Sequence, residues 1–124
     1  MLGKEKLVGF VVTTDSARAR AFYEGVLGLR VVAEDDFALV LEANGTTIRV
    51  TKMKEWSPLG HTVLGWEVAD VPATVKGLAA RGVTFERYGF LEQDALGVWT
   101  APGGAARVAW FKDPDGNVLS VSQS

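Results

Sequence analysis

The sequence predicts an α+β fold in which two βαβββ modules enclose a cup. Two observations support this prediction. Residues 7–29 and 62–84 both read as a strand, an Asp, an amphipathic helix and a Gly, and residues 38–50 and 109–121 both read as two apolar strands around a turn Gly. Because a unit of half a domain cannot bury its hydrophobic face alone, we expect the two modules to pack on each other.

The chain, residues 1–124, has the length of one domain. We assign residues 1–53 to the first module and residues 62–124 to the second. Residues 54–61 contain Ser, Pro and Gly close together and are the expected linker.

Composition excludes several classes of function. The absence of Cys removes disulfides, thiolate metal sites and cysteine nucleophiles, and it fits a reducing compartment. No apolar run approaches the roughly 18 residues of a membrane span. The formal charge of −2 comes without a Lys/Arg run that could follow nucleic acid phosphates. We therefore expect a cytoplasmic protein that binds neither membranes nor nucleic acid.

The start of the first module has clear local signals. Residues 6–13 are apolar and β-branched, which predicts a strand buried on both faces. Asp15 or Ser16 can cap the following helix, whose apolar residues recur at spacings of three and four, and Gly28 ends it. A strand followed by a helix is therefore expected.

The rest of each module is expected to consist of strands. Residues 30–34 predict a short strand, and residues 37–51 a hairpin around a two-residue turn. In the second module, a helix from about Val71 to Gly82 precedes a strand at residues 83–88. A final hairpin of two apolar strands, 107–111 and 118–122, completes it.

Strand alternation assigns side chains to faces in the first hairpin. A two-residue turn at Asn44 and Gly45 places Arg49 opposite Val40, and directly opposed residues share a face. The other face of this hairpin is apolar and is expected to form the core. The face that holds Arg49 lies away from this core; we call it the open face and expect it to line a small-molecule site.

The same reasoning applies to the second hairpin. A four-residue turn at residues 113–116 would place Phe111 and Ser120 together on the open face and Trp110 in the core, where Trp66 is also expected. Trp99 lies in a long Gly-containing loop and is expected to act as a lid. The expected ligand-binding residues share the open faces or this loop: Val8, Phe10, Arg49, Val63, Glu67, Trp99, Phe111 and Ser120.

The segment WFKDPDGNVL at residues 110–119, with Asp15, the AFY of residues 21–23 and the LGL of residues 27–29, resembles the vicinal oxygen chelate superfamily. This is the superfamily of glyoxalase I, bleomycin resistance proteins and extradiol dioxygenases. The resemblance implies the paired βαβββ modules, which members combine within one chain or across a swapped dimer. We expect a homodimer.

The resemblance also implies where a metal would bind. Enzymes of the superfamily hold one divalent ion through His, Glu or Gln in the first strand of each module and Glu or Gln in the last. Those positions fall on Val8, Arg49, Val63 and Ser120, the same four that the internal repeat selects. Valine has no lone pair, arginine carries a positive charge, and serine alone is a poor ligand. We therefore expect no metal and no other cofactor.

The leading hypothesis is a metal-free protein that binds a drug-like molecule or metabolite in the cup without catalysis. One alternative is a metal-independent isomerase or lyase that uses Glu67 as base and Arg49 to stabilise negative charge. A metal-dependent lyase or dioxygenase is a minor alternative. Arg49 could bind an anionic or carbonyl group of the ligand, or form a structural ion pair with Glu67. The sequence leaves both roles open.

Overall fold

The computed structural model describes residues 1–124 as two compact units, Met1–Ser57 and Pro58–Ser124. Each unit contains one four-stranded sheet together with helical segments, so the predicted α+β class with two related modules is confirmed. None of the helices has both the length and the apolar character needed to cross a membrane.

The first unit follows the predicted βαβββ order. Its elements are β1 (Val8–Thr13), α1 (Ser16–Arg20), a π-helical segment (Ala21–Val26), β2 (Arg30–Glu34), β3 (Ala38–Ala43) and β4 (Thr46–Lys52). The sheet order is β1-β4-β3-β2, and only the β1–β4 pair is parallel. The Asp15 carboxylate caps α1 by accepting a hydrogen bond from the Arg18 N–H at 3.1 Å. Gly28, with φ of 78°, adopts the left-handed conformation expected after a helix.

Strand β1 is not buried on both faces, so that prediction is wrong. Val11 and Thr13 are 4% and 1% exposed, whereas Val8 and Phe10 on the opposite face are 40% and 61% exposed. A β-branched, apolar composition signals a pleated and half-buried surface. It does not reveal that one face is more exposed than the other.

The first hairpin has the predicted register. Ala43 pairs with Thr46, which leaves Asn44 and Gly45 as a two-residue turn with φ values of 47° and 85°. Positive φ at both positions matches the twist of antiparallel strands. Arg49 lies opposite Val40 as expected. The other face of this hairpin is buried and consists of Leu39, Leu41, Ile48 and Val50.

The second unit has a similar order with one difference. Its elements are β5 (Thr62–Glu67), α2 (Val71–Ala79), β6 (Trp99–Thr100), β7 (Arg107–Lys112) and β8 (Val118–Gln123). The sheet order is β5-β8-β7-β6, with β5 parallel to β8. The Asp70 carboxylate caps α2 by accepting a hydrogen bond from the Ala73 N–H at 3.0 Å.

The predicted strand at residues 83–88 is not a regular strand. Phe85 makes a single bridge to Phe111, and the Glu86 N–H donates to the Trp110 carbonyl at 2.8 Å. The chain then leaves the edge of β7 and returns to it as β6, where Trp99 pairs with Val108. Two short segments therefore share the edge that one strand was expected to occupy.

The β7–β8 connection is one residue longer than predicted. Lys112 pairs with Val118, which leaves the five residues 113–117 in the loop. The Asp113 carboxylate organises this loop. Its Oδ1 accepts from the backbone N–H groups of Asp115 and Asn117, both at 2.9 Å, and its Oδ2 accepts from the Asn117 side-chain amide at 2.8 Å.

This additional residue reverses the faces predicted for β7, because a shift of one residue moves every side chain of a strand to the other face, whereas the faces predicted for β8 are unchanged. Phe111 is fully buried and packs against Trp66 with ring centroids 6.5 Å apart, so its predicted place on the open face is wrong. Trp110 pairs with Ser120 and shares its face instead of lying in the core. We call the face of each sheet opposite its buried side chains the open face.

Candidate functional site

A cavity of about 440 Å³ lies on the open face of the second sheet. This volume is within the range of small-molecule pockets. Most of its lining residues are apolar or aromatic: Gly60, His61, Thr62, Tyr88, Phe90, Leu91, Trp99, Trp110 and Val118.

Four aromatic side chains form a continuous wall along this cavity. The rings of Trp99 and Trp110, on neighbouring strands β6 and β7, have centroids 6.4 Å apart. The Tyr88 ring meets Trp110 edge to face at 5.6 Å, and Phe90 lies 5.8 Å from Tyr88. These separations lie within the 4.5–7 Å range of favourable aromatic pairs. The wall is therefore held together by its own rings as well as by the sheet.

The segment that carries Tyr88 and Phe90 is fixed by the side chain of Gln93. Its Nε2 donates to the carbonyls of Glu86 and Gly97, both at 2.9 Å, and its Oε1 accepts from the Tyr88 N–H at 2.8 Å. One amide thus satisfies three backbone groups that a regular strand would have paired. Gln93 positions the aromatic wall where β structure is interrupted.

Charged groups flank the cavity without lining it. Lys112 forms an ion pair with Glu86 at 3.5 Å. Burial raises the pKa of Tyr88, the Glu86 carboxylate raises it further, and Lys112 partly opposes the change. The phenol is therefore protonated at neutral pH and can donate a hydrogen bond. His61 is exposed, and its Nδ1 lies 3.2 Å from the Thr62 carbonyl.

Two predicted site residues on the second sheet lie at or next to this cavity. Trp99 lines it. Ser120 is half-buried and pairs with Trp110, next to the wall but outside the lining.

The other two predicted residues on β5 lie outside the cavity lining. Val63 falls where the β5–β8 register shifts between Thr62 and Leu64, and the cavity is lined by Thr62 in its place. Glu67 is exposed and accepts a hydrogen bond from the Ser124 hydroxyl at 3.1 Å. Counting along the strand selected Val63 because the sequence does not reveal this register shift.

The remaining predicted residues share the open face of the first sheet. Val8 and Phe10 lie on β1, and Phe10 pairs with the half-buried Arg49 on β4. Within the first unit, no hydrogen bond or ion pair holds the Arg49 guanidinium. Its charge acts on Asp35, whose pKa is lowered first by hydrogen bonds from the N–H groups of Phe37 and Ala38 and then by Arg49.

The four positions implied for a metal do not have the donors that the superfamily enzymes use. Val8 and Val63 are aliphatic, Arg49 is cationic, and Ser120 offers one hydroxyl. No group of three or more His, Cys, Asp or Glu side chains is placed to hold a metal ion. The residues present therefore do not fit the metal that the resemblance implies.

Sequence reasoning missed most of the aromatic wall. Tyr88 and Phe90 were not selected, although their spacing of two places both rings on the same side of an extended segment. Trp110 was placed in the core because the loop before Val118 was counted one residue short. Asp113 was the available signal, because Asp side chains often accept hydrogen bonds from nearby backbone N–H groups in turns. Gln93 had no recognisable signal.

The sequence pattern of the Glyoxalase/Bleomycin resistance protein/Dioxygenase superfamily matches residues 7–121. Because this match spans nearly the whole chain, the protein belongs to that superfamily, and the resemblance found in the sequence is confirmed. No curated protein sequence matches the chain.

Solved structures with the same fold cover almost the whole chain. A superfamily member from Sphaerobacter thermophilus DSM 20745 is 21% identical, with a TM-score of 0.75 and full coverage of both chains. TnmS3, an antibiotic binding protein from Streptomyces sp. CB03234, is 22% identical, with a TM-score of 0.73 and coverage of 99% of this chain and 98% of TnmS3. A bleomycin resistance determinant encoded on transposon Tn5 is 20% identical, with a TM-score of 0.74 and 98% coverage of both. At these identities the likeness shows the fold alone.

Proposed function

We propose that this protein binds a small, partly aromatic molecule without the help of a metal ion. The observation that carries the proposal is the cavity on the second sheet, with Tyr88, Phe90, Trp99 and Trp110 along one wall. Aromatic rings offer a large apolar contact area, and flat ligands stack on them in offset or edge-to-face geometry. Two solved structures with this fold are a bleomycin resistance determinant and an antibiotic binding protein, which supports binding as the function.

The proposal of binding without a metal rests on the donor set. A divalent ion in this superfamily needs carboxylate, imidazole or amide ligands, and the four corresponding positions carry two valines, an arginine and a serine. Positive charge on the first sheet is instead supplied by Arg49, which can donate two coplanar hydrogen bonds to an anion. We propose Arg49, on the open face of the first sheet, as an anchor for an anionic or carbonyl group.

The alternative of a metal-independent isomerase or lyase stays a prediction. It would require Glu67 to act as a general base. Glu67 is exposed, and its partner in the second unit is the Ser124 hydroxyl. The binding function therefore has the better support. The homodimer also stays a prediction, which light scattering at micromolar concentration tests.

Equilibrium dialysis with naphthalene tests the binding proposal. We expect saturable binding to the wild-type protein, and Trp110→Ala should weaken it by roughly thirtyfold, since truncation of a central aromatic anchor costs about 2 kcal/mol. Trp66→Phe is the matched control, because Trp66 stacks on the buried Phe111 away from the cavity. Its affinity should equal that of the wild type.

Two further measurements on the same protein complete the test. Elemental analysis should find no stoichiometric divalent metal, and one zinc, nickel or iron per chain, lost on chelation, would contradict the metal-free proposal. Ligands identified in a metabolite screen should be recovered unchanged after incubation. Conversion to a product would instead support the enzymatic alternative with Glu67.

A further inference from the structure

The cavity on the second sheet has walls suited to a flat ring. The rings of Trp99 and Trp110 are inclined at 41°, and Tyr88 stands nearly perpendicular to Trp110 at 81°. This arrangement presents both faces and edges of aromatic rings to a ligand. A planar ring system of two or three fused rings can make offset and edge contacts at the same time.

The polar side chains of the walls include two that can only donate hydrogen bonds. The indole N–H groups of Trp99 and Trp110 can only donate, and neither has a hydrogen-bond partner in the protein. The hydroxyls of Tyr88 and Thr62 also lack a partner. No buried side-chain polar atom in the chain is unsatisfied, so these groups are within reach of solvent or of a ligand. No carboxylate or side-chain amide lines the cavity, and the side-chain acceptors present are the Tyr88 and Thr62 hydroxyls and the His61 ring, each of which can also donate.

Formal charge is nearly absent from the lining. His61 is the only basic residue there, and no acidic residue is present. The nearby Lys112 and Glu86 compensate each other at 3.5 Å. The raised pKa of Tyr88 keeps its phenol a neutral donor at physiological pH. An ionic ligand would lose its hydration in this cavity without gaining an opposite charge.

From these three observations we infer that this cavity holds a flat, uncharged ring system that carries a hydrogen-bond acceptor, most simply a ring carbonyl, directed at an indole N–H of Trp99 or Trp110. The inference rests on the proposed binding function and specifies the class of molecule. Aromatic contacts provide most of the affinity. The donor groups select among rings of the same size.

Three probes of two fused rings test this inference. Naphthalene is neutral with no acceptor, coumarin is neutral with a ring carbonyl, and N-methylquinolinium is a cation without an acceptor. We expect coumarin to bind about three- to tenfold more tightly than naphthalene, which corresponds to one net neutral hydrogen bond. N-methylquinolinium should bind no more tightly than naphthalene.

Phenylalanine variants separate the N–H groups from the rings. Trp99→Phe or Trp110→Phe should remove the advantage of coumarin over naphthalene while changing the naphthalene affinity by less than the coumarin affinity. Trp66→Phe should leave the coumarin advantage intact. Circular dichroism checks that each variant is folded, and Trp99→Phe still tests the inference if the other variant is not.

The possible outcomes separate this inference from the binding proposal itself. Naphthalene binding that requires Trp110, with no preference for coumarin, would overturn the acceptor inference and leave the binding proposal standing. Tightest binding of N-methylquinolinium would also overturn it, because four aromatic rings would then act as a cation site. Failure of all three probes to bind would contradict the binding proposal as well.

Discussion

The open faces of the two sheets carry corresponding rows of three paired residues in which large and small side chains have exchanged places. In the first sheet the row is Phe10, Arg49 and Val40. In the second sheet it is Gly65, Ser120 and Trp110. The two rows occupy equivalent positions in the repeat. Phe10 follows Val8 by two residues, and Gly65 follows Val63 by two residues.

The contents of the two rows differ in size and chemistry. In the first row, an exposed phenylalanine stands beside a half-buried arginine. In the second row, Gly65 has no side chain and Ser120 has a small one. The large indole of Trp110, at the other end of the row, forms part of the cavity wall. The repeat therefore determines the backbone arrangement, while individual substitutions determine which sheet can hold a ring.

The two hairpins also differ, in the length of their loops and in what stabilises them. The β3–β4 turn has two residues and depends on backbone conformation at Asn44 and Gly45. The β7–β8 loop has five residues, 113–117, and depends on side-chain hydrogen bonds to the Asp113 carboxylate. The longer loop turns Trp110 to the open face. Loss of its hydrogen bonds should therefore affect both stability and binding.

The largest expected effect is that of Asp113→Ala on stability. The substitution leaves the backbone N–H and the side-chain amide of the buried Asn117 without their acceptor, which should lower the free energy of unfolding by about 2–4 kcal/mol. Urea denaturation measures the loss. Asp35→Ala is the control, because that carboxylate also accepts two backbone N–H groups but is exposed, so its loss should be smaller. Equal losses in both variants would show that burial of these hydrogen bonds adds nothing to the cost of losing them.

The next effect concerns Arg49 and an acidic probe. If Arg49 anchors an anionic group, Arg49→Ala should weaken binding of 1-naphthoate by about 1.5–3 kcal/mol, or ten- to a hundredfold. Arg30→Ala is the matched control, because Arg30 is an exposed arginine in an ion pair with Glu42 at 3.5 Å. Calorimetry measures both affinities.

A different result would give Arg49 a structural role. Unchanged affinity for 1-naphthoate, with a fall in melting temperature that Glu67→Gln partly reverses, would remove Arg49 from the binding residues. Such a reversal would identify a coupled pair of charges rather than a ligand contact.

The smallest effect tests the close approach of Gly65 to Ser120. A Cβ at Gly65 would lie 2.6 Å from the Ser120 Oγ, so Gly65→Ala should cost about 1 kcal/mol, since the hydroxyl can rotate away at modest expense. Ser120→Ala alone should be nearly neutral. In the double variant the new methyl group would face the Ser120 Cβ position at 3.9 Å, and most of the loss should be recovered. Additive losses in urea denaturation would show that the two positions are not coupled.

Much of the fold could be predicted because its signals are local. Asp15 caps the first helix as expected, and Asn44-Gly45 forms the expected turn with Arg49 opposite Val40. The second sheet was less predictable. An error of one residue in the loop before Val118 exchanged the places of Trp110 and Phe111, since strand alternation has a period of two.

The sequence by itself determined the repeat, the superfamily and the unsuitability of Val8, Arg49, Val63 and Ser120 as metal ligands, because residue identity and spacing are sufficient for each of these. Only the tertiary structure brought Tyr88, Phe90, Trp99 and Trp110 together, because three separate segments contribute them. Their meeting depends on the Gln93 amide and the Asp113 carboxylate, which hold irregular backbone in place. Such contacts have no period in the sequence, and the side chains that make them acquire their roles only when the sheet has formed.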